Sequence, residues 1–252
     1  MLHVTLADPK QDIQLDYQPG HVLALELEDK SDDLNDDAKR NGGWMRGPYT
    51  VSRSSKDSID VLVRVVGKKS KAFSESPEGT PVRFGGKFKV PILVGVKKED
   101  TKSVVLVSTG VGIGPCVGAI ELAMEDDSFP PIALFASFRD PEDVVYDDYL
   151  SQMAKENPTK FQWHPIVTSE SGRISSCEEN LEHVCNFATP DSHYHMIGNG
   201  QLVNEWKAGL AQAGVPEDKV TVEQYFNHKA ESDQGAINNI ANAIAMACAV
   251  EA

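Results

Sequence analysis

The segment STGVGIGPCVGA, residues 108–119, contains glycines at alternate positions, Gly110, Gly112 and Gly114, followed by Pro115. It lies between a strand-like apolar run and a helix-like stretch. A helix that follows a parallel strand starts with unpaired N–H groups and a partial positive charge, and anionic groups bind there. Glycines let a ligand approach this backbone, and proline is favoured in the first helical turn. A tight strand–helix turn without a ligand is the alternative, because a glycine-rich turn alone is a weak signal.

The charge and composition of the chain exclude several classes of function. Its 252 residues carry a net charge of −14, which repels nucleic acids and anionic membranes. No apolar run approaches the ~20 residues of a membrane-spanning helix, and the N-terminal residues lack the pattern of a secretory signal. We therefore expect a soluble protein of the cytoplasm or an organellar stroma that binds no nucleic acid. The spacing of its four cysteines matches no common metal site, so no metal is expected.

The first part of the chain has the pattern of an all-β domain. Apolar or alternating runs typical of strands occur at residues 22–27, 59–66, 80–84 and 91–96. Short strands at such intervals, with few helical signals, indicate a sandwich or barrel. The polar, acidic segment 28–43 between two of them is predicted to be a solvated surface loop without chemistry.

After the charged segment 97–102, predicted strands alternate with predicted helices. Strands are predicted at 104–107, 132–136, 161–167, 194–197 and 219–223. Helices are predicted over 143–155 and 201–213, and a further helix is predicted where Val117, Ile120 and Met124 fall at helical spacing. This alternation indicates a doubly wound parallel sheet. In the alanine-rich tail, Ile237, Ile240, Ile244 and Ala247 follow helical spacing. They predict an amphipathic helix that packs on the body of the protein or forms a subunit contact.

Several motifs together resemble the ferredoxin–NADP reductase superfamily. Residues 110–115 follow its G-x-G-x-G-P-like turn rather than the dinucleotide fingerprint G-x-G-x-x-G. Residues 46–52, RGPYTVS, are similar to its R-x-Y-S/T flavin motif, and Pro48-Tyr49-Thr50 is close to the R-P-Y-T form of cytochrome b5 reductases. Residues 67–70, GKKS, resemble the second flavin motif, which opens a helix at the FAD pyrophosphate.

Four further segments extend the resemblance over about residues 15–229. Residues 78–86 resemble the next barrel strand, and residues 137–143 resemble the second nucleotide loop. Residues 197–200 stand where the superfamily usually has C-G-P. Residues 222–226 resemble the closing strand, whose aromatic end lies over the flavin.

The resemblance implies a fold and a domain organisation. It implies an antiparallel, six-stranded Greek-key β-barrel that binds FAD over residues 1–98. An α/β domain with a doubly wound parallel sheet would bind NADP or NAD over residues 99–229, and residues 230–252 would form the C-terminal amphipathic helix.

The resemblance also assigns site residues. Tyr49, Thr50 and Tyr225 take the catalytic positions beside the flavin, where Tyr49 offers a flat ring and Thr50 a hydrogen-bonding hydroxyl. The residues implied to bind the cofactors are Arg46, Pro48, Tyr49, Thr50, Val51, Ser52, Val65, Gly67, Lys68, Lys69, Ser70, Thr109, Gly110, Gly112, Ile113, Gly114, Pro115, Ser137, Arg139, Gly198, Asn199, Tyr225 and Phe226.

The flavin motif departs from the superfamily pattern at its arginine. Arg46 stands three residues before Tyr49 instead of two. A one-residue bulge would restore its phosphate contact, and Arg53 or Arg64 are the alternatives. The choice between FAD and FMN stays open for this reason.

Two departures affect the nucleotide side. Ile197 replaces the cysteine near which the superfamily holds the nicotinamide, which is expected to slow turnover without abolishing it. Glu170 near the ribose would favour NADH, whereas Arg139, or alternatively Arg173, would attract the 2′-phosphate of NADPH. The choice between the two nucleotides stays open, with a preference for NADPH.

The resemblance implies an FAD-dependent NAD(P)H oxidoreductase. Hydride would pass between nicotinamide and flavin, and electrons would leave to a separate acceptor, either a protein or a small molecule, because the chain has no iron–sulfur cysteine pattern. The alternative is a catalytically impaired scaffold or redox sensor with a reductase-like fold.

Overall fold

The computed structural model describes residues 1–5, 15–31, 34, 36–89 and 91–249 of the chain. The chain divides into two compact units. The first comprises Met1–Ile92 with Gly114–Ala119, and the second comprises Leu93–Ile113 with Ile120–Ala252.

In its described residues the first unit has six strands in two three-stranded antiparallel sheets, with the orders β1-β5-β4 and β3-β2-β6. The strands are β1 (Leu2–Thr5), β2 (Val22–Glu28), β3 (Trp44–Thr50), β4 (Arg53–Ser54), β5 (Ser58–Val61) and β6 (Val82–Phe88). Their buried side chains, among them Leu23, Leu25, Ile59 and Val61, share one apolar core. The antiparallel character agrees with the sequence analysis, and closure into one Greek-key barrel stays a prediction.

Two strand predictions for this part of the chain are wrong in extent or in kind. The strand expected over residues 59–66 ends at Val61. The run from Pro91 to Val96 forms a turn. The Ile92 N–H bonds to the carbonyl oxygen of Pro19 at 3.1 Å, and the Val96 N–H bonds to that of Leu93 at 3.1 Å. An apolar run alone does not specify a strand, because a strand also needs a neighbour to pair with.

The acidic segment 28–43 is more ordered than a solvated loop. Its residues Asp36–Arg40 form helix α1, and Ala38 on this helix is fully buried. Asp32, Asp33 and Asn35 of the segment lie outside the described residues. Helix α2 (Lys68–Glu75) follows β5 and buries Phe73.

The second unit contains a parallel sheet with the strand order β11-β10-β7-β8-β9. Its strands are β7 (Ser103–Thr109), β8 (Ile132–Phe138), β9 (Phe161–Val167), β10 (Ser192–Asn199) and β11 (Val220–Phe226). Strand β8 is buried along its whole length, as the continuous apolar run of a central parallel strand predicts. The predicted parallel sheet is therefore confirmed.

Helices connect and follow these strands. They are α3 (Ile113–Met124), α4 (Asp147–Glu156), α5 (Thr168–Ser171), α6 (Glu178–Phe187), α7 (Gly200–Gln212) and α8 (Gln234–Ala249). The sequence analysis missed α6, although its buried residues Leu181 and Val184 lie three positions apart, as on one face of a helix. Among the described helices, none combines the length and apolarity that crossing a bilayer requires.

The C-terminal helix α8 packs on the second unit. Ile237, Ile240, Ile244 and Ala247 are buried, which confirms the amphipathic face predicted from their spacing. Helix α8 packs against α6 and α7, and at Gly209 of α7 any Cβ would come within 2.7 Å of the Ile240 side chain. Residues 250–252 of the predicted helix lie outside the described residues.

Candidate functional site

Each of the three glycines after β7 is required, or tolerated, for a different structural reason. Gly110 has a φ of +51°, and no described atom lies within 4 Å of the position that a Cβ would take there. At Gly112 a Cβ would lie 3.0 Å from the carbonyl oxygen of Ile197. At Gly114 it would lie 2.8 Å from the side chain of Leu62, in the same unit. Protein packing alone requires the latter two glycines, and only Gly110 leaves open space at the entry to α3.

Strands β7 and β10 meet at the point where the sheet order reverses, and ligands of open α/β sheets bind at such a point. The Asn199 N–H donates to the Thr109 hydroxyl at 2.8 Å. Gly198, at a φ of +123°, packs against the same hydroxyl, so a Cβ there would collide with it. Asn199 also accepts from the Gln201 N–H at 2.9 Å and so caps α7. The fold thus brings together two motifs that are ninety residues apart in sequence.

The carboxyl end of β8 supplies a buried hydroxyl, that of Ser137, and an exposed cation, that of Arg139. The Ser137 hydroxyl is buried and has no hydrogen-bond partner among the described residues. Arg139 is 82% exposed, and its carbonyl oxygen accepts from the Ser169 N–H at 3.0 Å, which ties the two loops together. Arg173, the alternative phosphate ligand, instead pairs with the buried carboxylate of Glu205. Arg139 has its own carboxylate neighbour, since Asp140 Oδ2 lies 3.9 Å from its Nε, but its greater exposure makes it the candidate of the two for a 2′-phosphate.

Strand β3 places Arg46 and Tyr49 on opposite faces. It pairs with β2 in continuous register from Val22 opposite Thr50 to Glu28 opposite Trp44, so these described pairs contain no bulge. Side chains alternate along a strand, and accordingly Arg46 and Pro48 are exposed while Gly47 is buried. The bulge that the sequence analysis offered for the displaced arginine is therefore wrong for this ladder.

The ring of Tyr49 packs on the core side of the strand. It meets Phe73 of α2 edge to face, with ring centroids 5.4 Å apart. Burial raises the pKa of the Tyr49 hydroxyl above its ordinary value. Its ring also lies close to Gly47, where a Cβ would be 3.1 Å away. These contacts give Tyr49 a packing role that is independent of any ligand.

A cavity of about 330 Å³ opens on the first unit, lined by Leu23, Ala24, Arg46, Gly47, Pro48 and Phe88. Ligand pockets range from about 300 to 1,000 Å³, so its size suits a ring system. Its aromatic member is Phe88, which is 54% exposed, and Tyr49 is not among the described residues that line it. An apolar cavity with one aromatic ring and one guanidinium suits a planar ring that carries an anionic group.

The sequence analysis missed Phe88, and a signal for it existed. The register of β6 against β2 shifts between the pairs Ala24–Gly85 and Val22–Phe88, which leaves one extra residue on β6. Gly86 has a φ of +77° at this bulge, and a Cβ there would strike the Phe88 ring. Bulges of this kind re-aim side chains, and the Gly85-Gly86 pair in a strand indicates one.

The start of α2 is stabilised by the side chain of one of its own residues, Ser70. The Ser70 hydroxyl accepts from the N–H groups of Val66 and Gly67 at 2.9 and 3.0 Å. Lys68 is exposed, and Lys69 is ion-paired with Asp37 of α1 at 2.9 Å. The predicted phosphate-binding residues therefore adjoin one another on a short helix, with one cation already paired.

The other predicted flavin residues divide into core and surface. Val51 and Ser52 are buried, and the Ser52 hydroxyl accepts from the Leu62 N–H at 3.2 Å. Val65 is exposed. Arg53 and Arg64, the alternatives to Arg46, are not among the described residues that line the cavity.

The remaining predicted residues lie at the ends of elements. Thr50 ends β3 and is half-buried. Tyr225 and Phe226 end β11, where Phe226 is 49% exposed. Ile113 and Pro115 stand in the first turn of α3 and are buried.

Comparison with known proteins agrees with this geometry. Residues 106–207, which include β8, β9, β10 and the last four residues of β7, match the oxidoreductase NAD-binding domain family. A ferredoxin NADP⁺ reductase from Neisseria gonorrhoeae, solved with bound FAD and NADP, superposes with a TM-score of 0.68 at 18% identity, over 89% of this chain and 92% of that chain. The cytochrome b5 reductase domain of Ulva prolifera nitrate reductase superposes with a TM-score of 0.65 at 15% identity, over 88% and 90%.

The chain has the fold of the ferredoxin–NADP reductase superfamily. This confirms the resemblance drawn from its motifs. A flavohemoprotein of Candida norvegensis is 24% identical over 208 residues, which are 80% of this chain and 48% of that protein. The chain thus spans about half the length of the curated relative that it matches.

One departure from the superfamily pattern has a packing explanation in this chain. Ile197, at the position of the usual cysteine, is fully buried. Its Cγ2 lies 3.3 Å from the position of a Cβ on Gly112, so it packs directly against the glycine turn. Ile197 is therefore a packing residue that holds β10 against the start of α3.

Proposed function

We propose that the chain is an FAD-dependent NAD(P)H oxidoreductase that passes electrons from a nicotinamide nucleotide to a separate acceptor. The observation that supports this most is the carboxyl edge of the parallel sheet, where Gly110 leaves open backbone and the Ser137 hydroxyl is buried without a described partner. This edge lies within the segment that matches the oxidoreductase NAD-binding domain family.

The proposed nucleotide site uses backbone and hydroxyl groups. Phosphate binds at the start of the helical segment 110–124, because the first N–H groups of a helix lack intrahelical partners and carry the positive end of its dipole. The Ile113 N–H is already bonded to the carbonyl oxygens of Gly110 and Val111 and is not one of these groups. The ends of β7 and β10 are held close together at this edge by contacts among Thr109, Gly198 and Asn199. Ser137 supplies its free hydroxyl, and Arg139 supplies an exposed positive charge.

The proposed flavin site uses the cavity on the first unit. Pro48 and Phe88 provide apolar and aromatic walls for a ring system, and Arg46 provides a cation beside it. Lys69 donates to the carbonyl oxygen of Arg46 at 2.7 Å and so adjoins the same place. FAD, when bound, takes up an electron pair from the nicotinamide and hands electrons on to the acceptor. The roles of Tyr49, Thr50 and Tyr225 stay predictions.

The decisive experiment follows the colour of the protein. Purified chain with added FAD, freed of unbound flavin, should be yellow, and anaerobic NADPH or NADH should bleach it. Phe88→Ser should weaken FAD binding about tenfold, because a ring stacked on an aromatic side chain gains about 1 kcal/mol or more. Phe88→Tyr should restore it.

A second candidate function is a catalytically impaired scaffold or redox sensor. It is favoured by the placement of Arg46 and Tyr49 on opposite faces of β3 and by Ile197 in place of the cysteine. A protein that binds FAD but is not bleached by either nucleotide would support the scaffold. A colourless protein that takes up no FAD would overturn the flavoenzyme proposal.

The preference between NADPH and NADH is predicted to depend on Arg139. Arg139→Ala should raise the KM for NADPH about tenfold and leave the KM for NADH within about twofold, because one charge-assisted hydrogen bond to phosphate is worth about 1.4 kcal/mol. Lys155→Ala, which removes an exposed cation from α4, is the matched control. Equal effects of Arg139→Ala on the two nucleotides would exclude a 2′-phosphate contact.

A further inference from the structure

The two cations beside the cavity are each neutralised by a carboxylate of the same unit. Lys69 Nζ lies 2.9 Å from Asp37 Oδ2, and Arg46 Nε lies 3.5 Å from Glu26 Oε1. Glu26 stands directly opposite Arg46 in the β2–β3 ladder, so both side chains point to the same face. The positive charge that an anionic ligand would meet here is therefore largely cancelled.

Asp37 is held in place by more than its ion pair. Its Oδ2 also accepts the N–H of Arg46 at 2.8 Å. Lys69 completes the arrangement by donating to the carbonyl oxygen of Arg46 at 2.7 Å. The Lys69 ammonium and the Arg46 N–H hold the pKa of Asp37 below its ordinary value, so the carboxylate is charged at neutral pH. Helix α1 thus places the carboxylate of Asp37 against the backbone N–H of Arg46, a residue that lines the cavity.

A phosphate group that binds the Lys69 ammonium would compete with the partners that this ammonium already has. Two of the three donor positions of the Lys69 ammonium are taken up by Asp37 and Arg46. The third position lies beside a carboxylate, and like charges a few ångströms apart repel each other. A nucleotide phosphate must either displace Asp37 or bind against its charge.

We propose that Asp37 and Glu26 are internal competitors for the phosphate groups of the flavin nucleotide, and that they lower the affinity of the first unit for FAD. This inference rests on the proposed function, since it takes FAD as the occupant of the cavity. The acidic segment is then a determinant of cofactor affinity and not only a solvated surface feature. Exchange of the bound flavin is correspondingly easier than it would be with both cations free.

The test is a titration of three isosteric acid-to-amide variants with FAD, followed by flavin fluorescence. Asp37→Asn should bind FAD about fivefold more tightly than the natural chain, since an exposed ion pair is worth up to about 1 kcal/mol. Asparagine keeps an oxygen that accepts the Arg46 N–H, so the local structure is retained. Asp36→Asn removes the same charge one residue away on the exposed side of α1 and should bind within about twofold of the natural chain.

Glu26→Gln provides an independent arm if Asp37→Asn fails to fold. Tighter binding by either folded variant, with Asp36→Asn unchanged, supports the proposal for that carboxylate. Binding by the folded variants no tighter than by the natural chain overturns it while leaving the proposed function intact. Absence of FAD binding in all four proteins overturns the proposed function itself, and this inference with it.

Discussion

Glu205→Ala is expected to lower the free energy of unfolding by about 1–3 kcal/mol, because several hydrogen bonds to one charged acceptor are lost together. The Glu205 side chain is 0% exposed and pairs with Arg173. Its carboxylate also accepts from Gln201 Nε2 and from the Asp233 N–H, each at 3.0 Å. Asp233 in turn caps α8 by accepting the Gly235 N–H at 2.8 Å. Loss of the carboxylate therefore leaves Arg173, Gln201 and the Asp233 N–H without this acceptor and loosens the start of α8.

Urea denaturation followed by circular dichroism measures this effect. Glu182→Ala is the matched control, because it makes the same change at an exposed position of α6 and should stay within about 0.5 kcal/mol of the natural chain. Arg173→Met should cost more, about 3–5 kcal/mol, since it strands the fully buried carboxylate of Glu205. A loss below about 1 kcal/mol for Glu205→Ala would show that the network does not stabilise the fold.

Acid is expected to destabilise the second unit well above the pH at which its carboxylates protonate. Burial holds the pKa of His195 at about 3 and that of His193 at about 4, against an ordinary value of 6.5. Burial, with a smaller contribution from His183, holds the pKa of His164 at about 4. Both His193 and His195 bond to the Thr221 hydroxyl, at 3.1 and 2.8 Å.

The direction of the change in stability with pH follows from the number of protons that the folded and unfolded chains bind. Below pH 6.5 the unfolded chain takes up protons at these histidines while the folded protein does not, so stability falls as the pH decreases toward 4. One pKa unit corresponds to about 1.4 kcal/mol, so His193 and His195 each account for about 2 kcal/mol of lost stability by pH 5. The share of His164 is smaller, because its ring is partly exposed to water.

Urea midpoints between pH 7.5 and pH 5 test this prediction. His195→Leu should reduce the fall in stability over this range by about 2 kcal/mol. His164→Phe keeps the stack on Phe135, whose ring centroid is 4.6 Å away, and should reduce the fall by less. A stability that is constant from pH 6.5 to pH 5 would show that these histidines titrate alike in the folded and unfolded chain.

Much of the second unit was predictable from local sequence. A central parallel strand is a short apolar run and an amphipathic helix has a fixed period, so both patterns are complete within a few residues. Strands β7 and β8 and the buried face of α8 were found in this way. The glycine turn was found because strand, glycines and proline are consecutive.

The first unit was less predictable, because antiparallel sheets depend on partners that are distant in sequence. The run from Pro91 to Val96 looks like a strand but pairs with none of the described strands. Helix α1 lies in a polar segment in which Ala38 is the one fully buried residue among those that the structure describes. Gly112 and Gly114 look alike in sequence, yet Ile197 excludes a Cβ at the first and Leu62 at the second.

The sequence by itself determined which residue types are available to bind cofactors and which motifs carry them, because those motifs are contiguous. Only the tertiary structure decided which side chains share a face. The register of β2 against β3 turns Arg46 and Pro48 toward the cavity and Tyr49 toward Phe73. A shift of one residue would reverse these faces, since side chains alternate along a strand. The pairing of Lys69 with Asp37 likewise joins residues that only the fold brings together.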